Sequence, residues 1–269
     1  MESSLFWQNP FVNVAKVYKI GQPESGAPGV AKGTSKKTAA FAGDVQQETN
    51  HQIRSSVWKI SGPIPAKSYI QFPSDSKRSL GLVGSYCYVA FKPIPKKYFV
   101  FHFDLAAEGE HSTFRISFSN MFKTPKITSS TAQFPFYVAP GINSVDGAAG
   151  GAACLGVAPK SSQWTMFILD MKTVMKYYFK KRFSELKMAK ICANCLLKGI
   201  YTSSIEYDPM IAIKNARSQG IKSVSENLSP MPREINFVLS KGEEWNKNFD
   251  LVRFPGDAPD LPEDDAKKS

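Results

Sequence analysis

Cys192-Ala-Asn-Cys195 is the spacing in this chain that most invites chemistry, because two thiols three positions apart can exchange electrons as a dithiol or supply half of a zinc site. The other half is missing: Cys87 and Cys154 are single and distant, and none of the three histidines lies near the pair. If KICANCLLKGIYTS is one continuous strand, the odd offset sends the two thiols to opposite faces. The pair therefore reads as structural cysteine, with no metal and no other cofactor expected. His51, His102 and His111 come without an obvious partner for general-base work; His102 falls on the less apolar face of its strand and His111 in the turn-like EGEHS. GLVGS at 81–85 has two glycines but no GK[ST], and Ser79 and Ser85 lack the flanks of a nucleophile elbow. With no paired-carboxylate motif either, the chain reads as a protein that is not an enzyme and has no catalytic residues.

Its basic residues are more telling. Thirty-four Lys and Arg against twenty-three Asp and Glu give +11 over 269 residues; residues 257–268 hold five acids and two lysines, so residues 1–256 carry about +14. Such a charge favours nucleic acid, anionic lipid or an acidic protein surface. Lys172, Lys176 and Lys180 recur at i+4 and are continued by Lys181 and Arg182. Further clusters are Lys92 with Lys96 and Lys97, Lys77 with Arg78, Lys123 with Lys126, and Lys187 with Lys190. For the Lys172, Lys176 and Lys180 stripe a solvated face accounts for the pattern as well as a binding surface does. Nucleic acid would suit a sheet of exposed aromatics. Here most aromatics fall on the apolar faces of their strands and no RNP-like string occurs, so nucleic acid is not the expected partner, while single-stranded nucleic-acid or carbohydrate binding is the alternative function.

The elements that must position these residues are mostly strands. SVWKIS, SYIQFP, YCYVAFK, YFVFHFDL, FRISFS, FPFYVA, TMFILD, AKICANC and KGIYTS all alternate with period two. Breaks such as GPIPAK, FPSDSKRS and KPIPKK separate them at the spacing of an antiparallel β-sandwich, with a jelly roll as the expected form. The period changes once: from Asp170 as N-cap, Met171, Val174, Met175, Tyr178 and Phe179 fall on one helical face, predicting a single amphipathic helix packed on the sandwich. Gly- and Ala-rich stretches at about 21–50 and 141–163 read as insertions. The expected organisation is thus a β-sandwich domain over 1–205, an extension over 206–255 with a Pro-containing linker and a short helix within MIAIKNARSQG, and an acidic disordered tail over 256–269. Four cysteines, no leader-like start and no long apolar run predict an intracellular, cytoplasmic protein with no membrane association.

The residues in order also look familiar. WQNPFVNVAKVYKI, SVWKISG, SYIQFPSDSKRSLGLVGSYCYVAFKPIPKKYFVFHFDL, RISFSNMFK, QFPF, WTMFILDMKTVMKYYF and ICANCLLKGIYTS, spanning Trp7 to Ser203, resemble the domain family typified by cilia- and flagella-associated protein twenty. The landmarks are the turn from Tyr69 to Pro73, Leu80-Gly81, the Trp164 strand before the helix, and Ala193 to Cys195. MPREINFVLSKGEEWNKNFDLVRFP, residues 231–255, resembles the N-terminal region of a centriolar family of WD-repeat proteins. The resemblance implies a jelly-roll sandwich with one helix. It also implies a non-enzymatic, microtubule-associated role, binding tubulin in centriole or axonemal walls near the inner junction beside other microtubule inner or centriole scaffold proteins. The location implied is the cytoskeleton, at the centriole, basal body or cilium. Tubulin is acidic, so the tubulin-facing candidates are Lys172, Lys176, Lys180, Lys181 and Arg182, then Lys92, Lys96 and Lys97, then Lys77 and Arg78.

Overall fold

In chain order the strands are β1 (Phe11–Asn13), β2 (Ala40–Ala42), β3 (Asp44–Asn50), β4 (Ser55–Ser61), β5 (Tyr69–Phe72), β6 (Tyr86–Pro93), β7 (Val100–Ala107) and β8 (Thr113–Ser119). They continue with β9 (Lys126–Ile127), β10 (Thr131–Pro135), β11 (Trp164–Asp170), β12 (Phe183–Cys192), β13 (Cys195–Ser203), β14 (Glu206–Asp208), β15 (Leu228–Pro230) and β16 (Phe249–Phe254). The helices are α1 (Val14–Val17), α2 (Met171–Phe179) and α3 (Trp245–Asn248). This computed structural model describes residues 11–19, 38–136, 163–211, 228–240 and 242–256. The short helix expected within 210–220, most of the 141–163 stretch and the acidic tail lie outside the described residues.

Two seven-stranded sheets pack as a sandwich. One runs β16-β11-β6-β13-β4-β3 with β1 on β13; the other runs β2-β5-β12-β7-β8-β10-β9. Alternation decides what each strand buries. In β7, Phe101, Phe103 and Leu105 enter the core with Ile116 and Phe118 of β8, while on the opposite face Asp104 lies across from Arg115 and His102 across from Ser117. Arg115 donates to both Asp104 carboxylate oxygens at 2.7 and 2.8 Å, which satisfies a carboxylate that is 9% exposed. Phe91, Phe99, Phe101 and Phe136 then meet ring to ring between the sheets, with centroids 4.8 to 6.4 Å apart.

The predicted mainly-β sandwich is what the chain forms, with one substantial helix among the described residues, but its sheets are mixed rather than antiparallel. β16 runs parallel to β11 and β10 parallel to β8. Period two identifies a strand and its faces; it carries no information on the direction of the partner. Helix α2 follows expectation closely. The Asp170 side chain accepts from the Thr173 N–H at 2.9 Å, Met171, Val174, Met175 and Phe179 are buried, and Tyr178 is half-buried with its ring stacked on Phe254.

Two further expectations are corrected. The stretch 21–50 is no loop at its C-terminal end, since β2 and β3 occupy 40–42 and 44–50. β3, DVQQETN, buries Val45 alone and is held by seven residue pairings along β4 at the sheet edge, so backbone bonding rather than composition makes it a strand. The other concerns 206–255: this segment completes the first sheet through β16 and covers its outer face with Met231, Ile235, Phe237 and Trp245 packed on Tyr88, Ala90, Trp164 and Met166.

Candidate functional site

Cys192 closes β12 and Cys195 opens β13, and those strands belong to different sheets. The single continuous strand expected from KICANCLLKGIYTS is therefore wrong: Ala193 and Asn194 turn the chain from one sheet to the other. Both thiols are buried and free, as is Cys87. Burial pushes the Cys192 thiol up to about 11 and those of Cys195 and Cys87 further still, so none of them is an activated thiolate. Among the described residues no group of three or more His, Cys, Asp or Glu side chains is placed to hold a metal ion. His51 and His111 are exposed. His102 shares a 2.7 Å hydrogen bond with the Ser117 hydroxyl, and burial, helped by Arg115 and Lys190, lowers its pKa to about 4.

Asn194, inside that motif, has a role sequence reasoning missed. Its Oδ1 accepts the Gly62 N–H at 2.8 Å, its Nδ2 and its backbone N–H both donate to the Tyr98 carbonyl, and its own carbonyl accepts the Ile94 N–H. One 3%-exposed amide thus ties the turns after β4, β6 and β12 into one end of the sandwich. Asn120 adds the turn after β8, donating to the Lys97 carbonyl and accepting from the Phe99 N–H. Nothing in the spacing of CxxC singles out its central asparagine.

Two of the basic clusters lie at opposite ends of the sandwich. Lys96 and Lys97, both exposed, occupy the turn after β6 in the Asn194-linked end, and exposed Lys67 and Lys123 lie in turns joined to it. Helix α2 sits at the opposite end of β6, since Asp170 pairs with Tyr86 and the Met171 N–H bonds the Ser85 carbonyl. The eight residues of β6 put roughly 26 Å between the two ends. On α2, Lys172, Lys176 and Lys180 are exposed, with the Lys180 ammonium 5.6 Å from the Tyr177 ring centroid. Lys181 and Arg182 do not extend that stripe. Lys180 takes a left-handed conformation that ends the helix, and beyond it Lys181 pairs with Glu110 at 2.5 Å and Arg182 with Glu108 at 3.1 Å.

Among the other candidates, Lys92 is half-buried on the outer face of the first sheet, donates to Gln52 at 3.3 Å, and has its pKa lowered by that burial. Arg78 pairs with Asp75 at 3.6 Å beside exposed Lys77. Lys190 lies 3.6 Å from the Tyr69 ring centroid and Lys187 donates to Thr113, whereas Lys126 is exposed. Lys198, which looks like any solvated strand lysine in the sequence, instead donates to the carbonyls of Glu234, Ile235 and Asn236 at 2.7 to 2.8 Å, and burial lowers its pKa to about 8. It fastens the outer cover to β13.

Ring faces are scarce at the surface. Among the described residues Tyr98, 57% exposed, is the one aromatic that is largely exposed; Trp58, Tyr69, Tyr86 and Tyr177 are half-buried, and most sheet phenylalanines point into the core. An open groove of about 890 Å³ lies between 231–239 and 243–246. Its rings, Phe237 and Trp245, are 5% exposed and stack on each other against the first sheet, so they offer no platform to a base or a sugar.

The CFA20 domain model matches residues 7–146 and 153–216. WD repeat-containing protein 90 of Xenopus tropicalis is 40% identical over 97% of this chain and 14% of its own length, and its Mus musculus counterpart 36% identical over 99% and 13%. Centriole proteome protein 16 of Chlamydomonas reinhardtii is 26% identical over 75% of this chain and 8% of its own length. The chain thus spans about one seventh or less of the length of these relatives.

Proposed function

The chain belongs to the CFA20 domain family, and on that premise we propose that it is a non-enzymatic structural protein of the centriole or cilium that binds tubulin in the microtubule wall, near the inner junction, alongside other wall or scaffold proteins. The observation that carries this reading is the family match combined with a relative named for the centriole proteome. Physical features support it. About +14 on residues 1–256 gives the chain an attraction for an acidic lattice. Exposed lysines stand at both ends of the sandwich, and the thiols and His102 are locked into the packing, which suits a scaffold better than a catalyst.

Sedimentation with stabilised microtubules tests it, run beside a gel-shift assay with single-stranded nucleic acid on the same sample. The expected outcome is co-sedimentation that weakens as salt rises, because exposed charge pairs are screened beyond a Debye length of about 8–10 Å near physiological ionic strength. No pelleting at low salt, or equal affinity for nucleic acid of any sequence, rejects the reading.

A further inference from the structure

The two basic ends of the sandwich differ in more than position. Turns 62–68, 94–98, 120–125 and 193–194, joined by the Asn194 and Asn120 hydrogen bonds, contain Lys67, Lys96, Lys97 and Lys123 and not one Asp or Glu. None of these four lysines pairs with a carboxylate among the described residues. Asp44, on the neighbouring edge strand, is engaged by the Ser61 hydroxyl and the Gln46 amide. The same turns expose three large apolar side chains, Ile64 at 48%, Tyr98 at 57% and Met121 at 48%. At the other end the apolar residues of α2 itself face inward, Val83 at 55% and Ile205 at 39% are exposed in separate turns, and Glu108 and Glu110 neutralise two of the five cations.

The turns of the Asn194-linked end are also fixed in place. Pro63, Pro65 and Pro95 fix the turns, Asn194 locks them to one another, and Gly62 lets the first turn close on Ser68, whose Oγ a Cβ there would meet at 2.4 Å. Lys96 holds φ of 59°, a left-handed position where Gly or Asn would be less strained. Interfaces draw their strength from a few fixed aromatic and apolar anchors ringed by complementary charge, and their speed of association from charge at longer range.

We propose that the Asn194-linked end is the docking face of this protein for an acidic protein surface, the tubulin lattice under the reading above on which this inference rests, with Tyr98 and Met121 as anchors and Lys67, Lys96, Lys97 and Lys123 as the charge ring. The α2 lysines then steer association without forming the contact. Apolar contacts are not screened by salt and fixed charges are, so the two ends separate in their salt dependence.

The test uses the full chain in microtubule sedimentation at about 0.05 M and about 0.3 M salt. Tyr98→Ser with Met121→Ser should weaken binding roughly tenfold or more at both salts, the size expected on losing a central aromatic anchor. Lys96→Glu with Lys97→Glu should do at least as much at low salt. Lys172→Glu, Lys176→Glu and Lys180→Glu together should weaken binding at low salt and leave the high-salt remainder unchanged. All variants alter exposed side chains, and retention of the wild-type melting temperature keeps misfolding out of the comparison. Turn variants that bind like wild type, or a helix variant that loses as much at high salt as the turn variants do, overturn the inference while the proposed function stands. Wild type that fails to pellet at low salt rejects both.

Discussion

His102 and Ser117 face each other across β7 and β8 on the side away from the inter-sheet core, and this modest pair has a measurable consequence. With its folded pKa near 4 against an ordinary 6.5, the imidazole stays neutral in the native protein while the unfolded chain takes up a proton. Between pH 6.5 and 4 the unfolded state therefore binds more protons, and stability falls as pH falls through that window. Urea unfolding at pH 5 should show roughly 2 kcal/mol less stability from this group than at pH 7. His102→Gln, which can still bond Ser117, should remove most of that difference; an unchanged slope would mean the ring titrates normally. The strand alternation that put His102 on the less apolar face was readable from the sequence. Asn194 and Lys198 were not, because each acts on backbone carbonyls and amides of segments distant in sequence, and residue type alone carries no trace of such a partner.

Among the elements, α2 was the most legible, since an N-cap and an apolar stripe are local features that the sheet beneath merely accepts. The stripe lies over the core, so Val174→Asp should place an unpaired charge at a fully buried position and cost about 3–5 kcal/mol, read as a lower urea midpoint. Reversing Lys172, Lys176 and Lys180 to Glu leaves that stripe intact. It should cost no more than about 1 kcal/mol, mostly because Lys176 and Lys180 sit at the helix C-terminus where cations are mildly favourable. A large loss from the triple change would show that the lysine stems, not just their charges, cover the core. Strand β3 marks the opposite extreme of legibility. Its residues are polar, one of seven is buried, and what places it is the unpaired edge of β4, which belongs to the tertiary fold. The parallel pairing of β16 with β11 was hidden for the same reason.

At the scale of the whole molecule, the first sheet is buried on both faces. Its inner face meets the second sheet; its outer face carries Tyr88, Ala90, Trp164 and Met166, which no soluble sandwich could leave bare, beneath Met231, Ile235, Phe237, Trp245 and Phe249. β16 also fills the pairing edge of β11, while Val252 and Phe254 reach back into the main core. Lys198 fastens this C-terminal part to the sheet, and the pairs of Arg253 with Glu206 and Asp208 join its own strands β16 and β14. Burying seven such side chains at roughly 1.5–3 kcal/mol each amounts to more than about 10 kcal/mol, comparable to the whole stability of an ordinary domain, typically about 5–15 kcal/mol. A chain ending at residue 205, the boundary that composition suggests, should therefore fail to fold. We expect it to be recovered as aggregate or to lack a cooperative melt, whereas a chain ending at 256 should melt like the full 269 residues. A soluble, cooperatively folding 1–205 fragment would show instead that the first sheet tolerates an open edge and a bare outer face, and that residues 206–256 dock on a sandwich already complete without them.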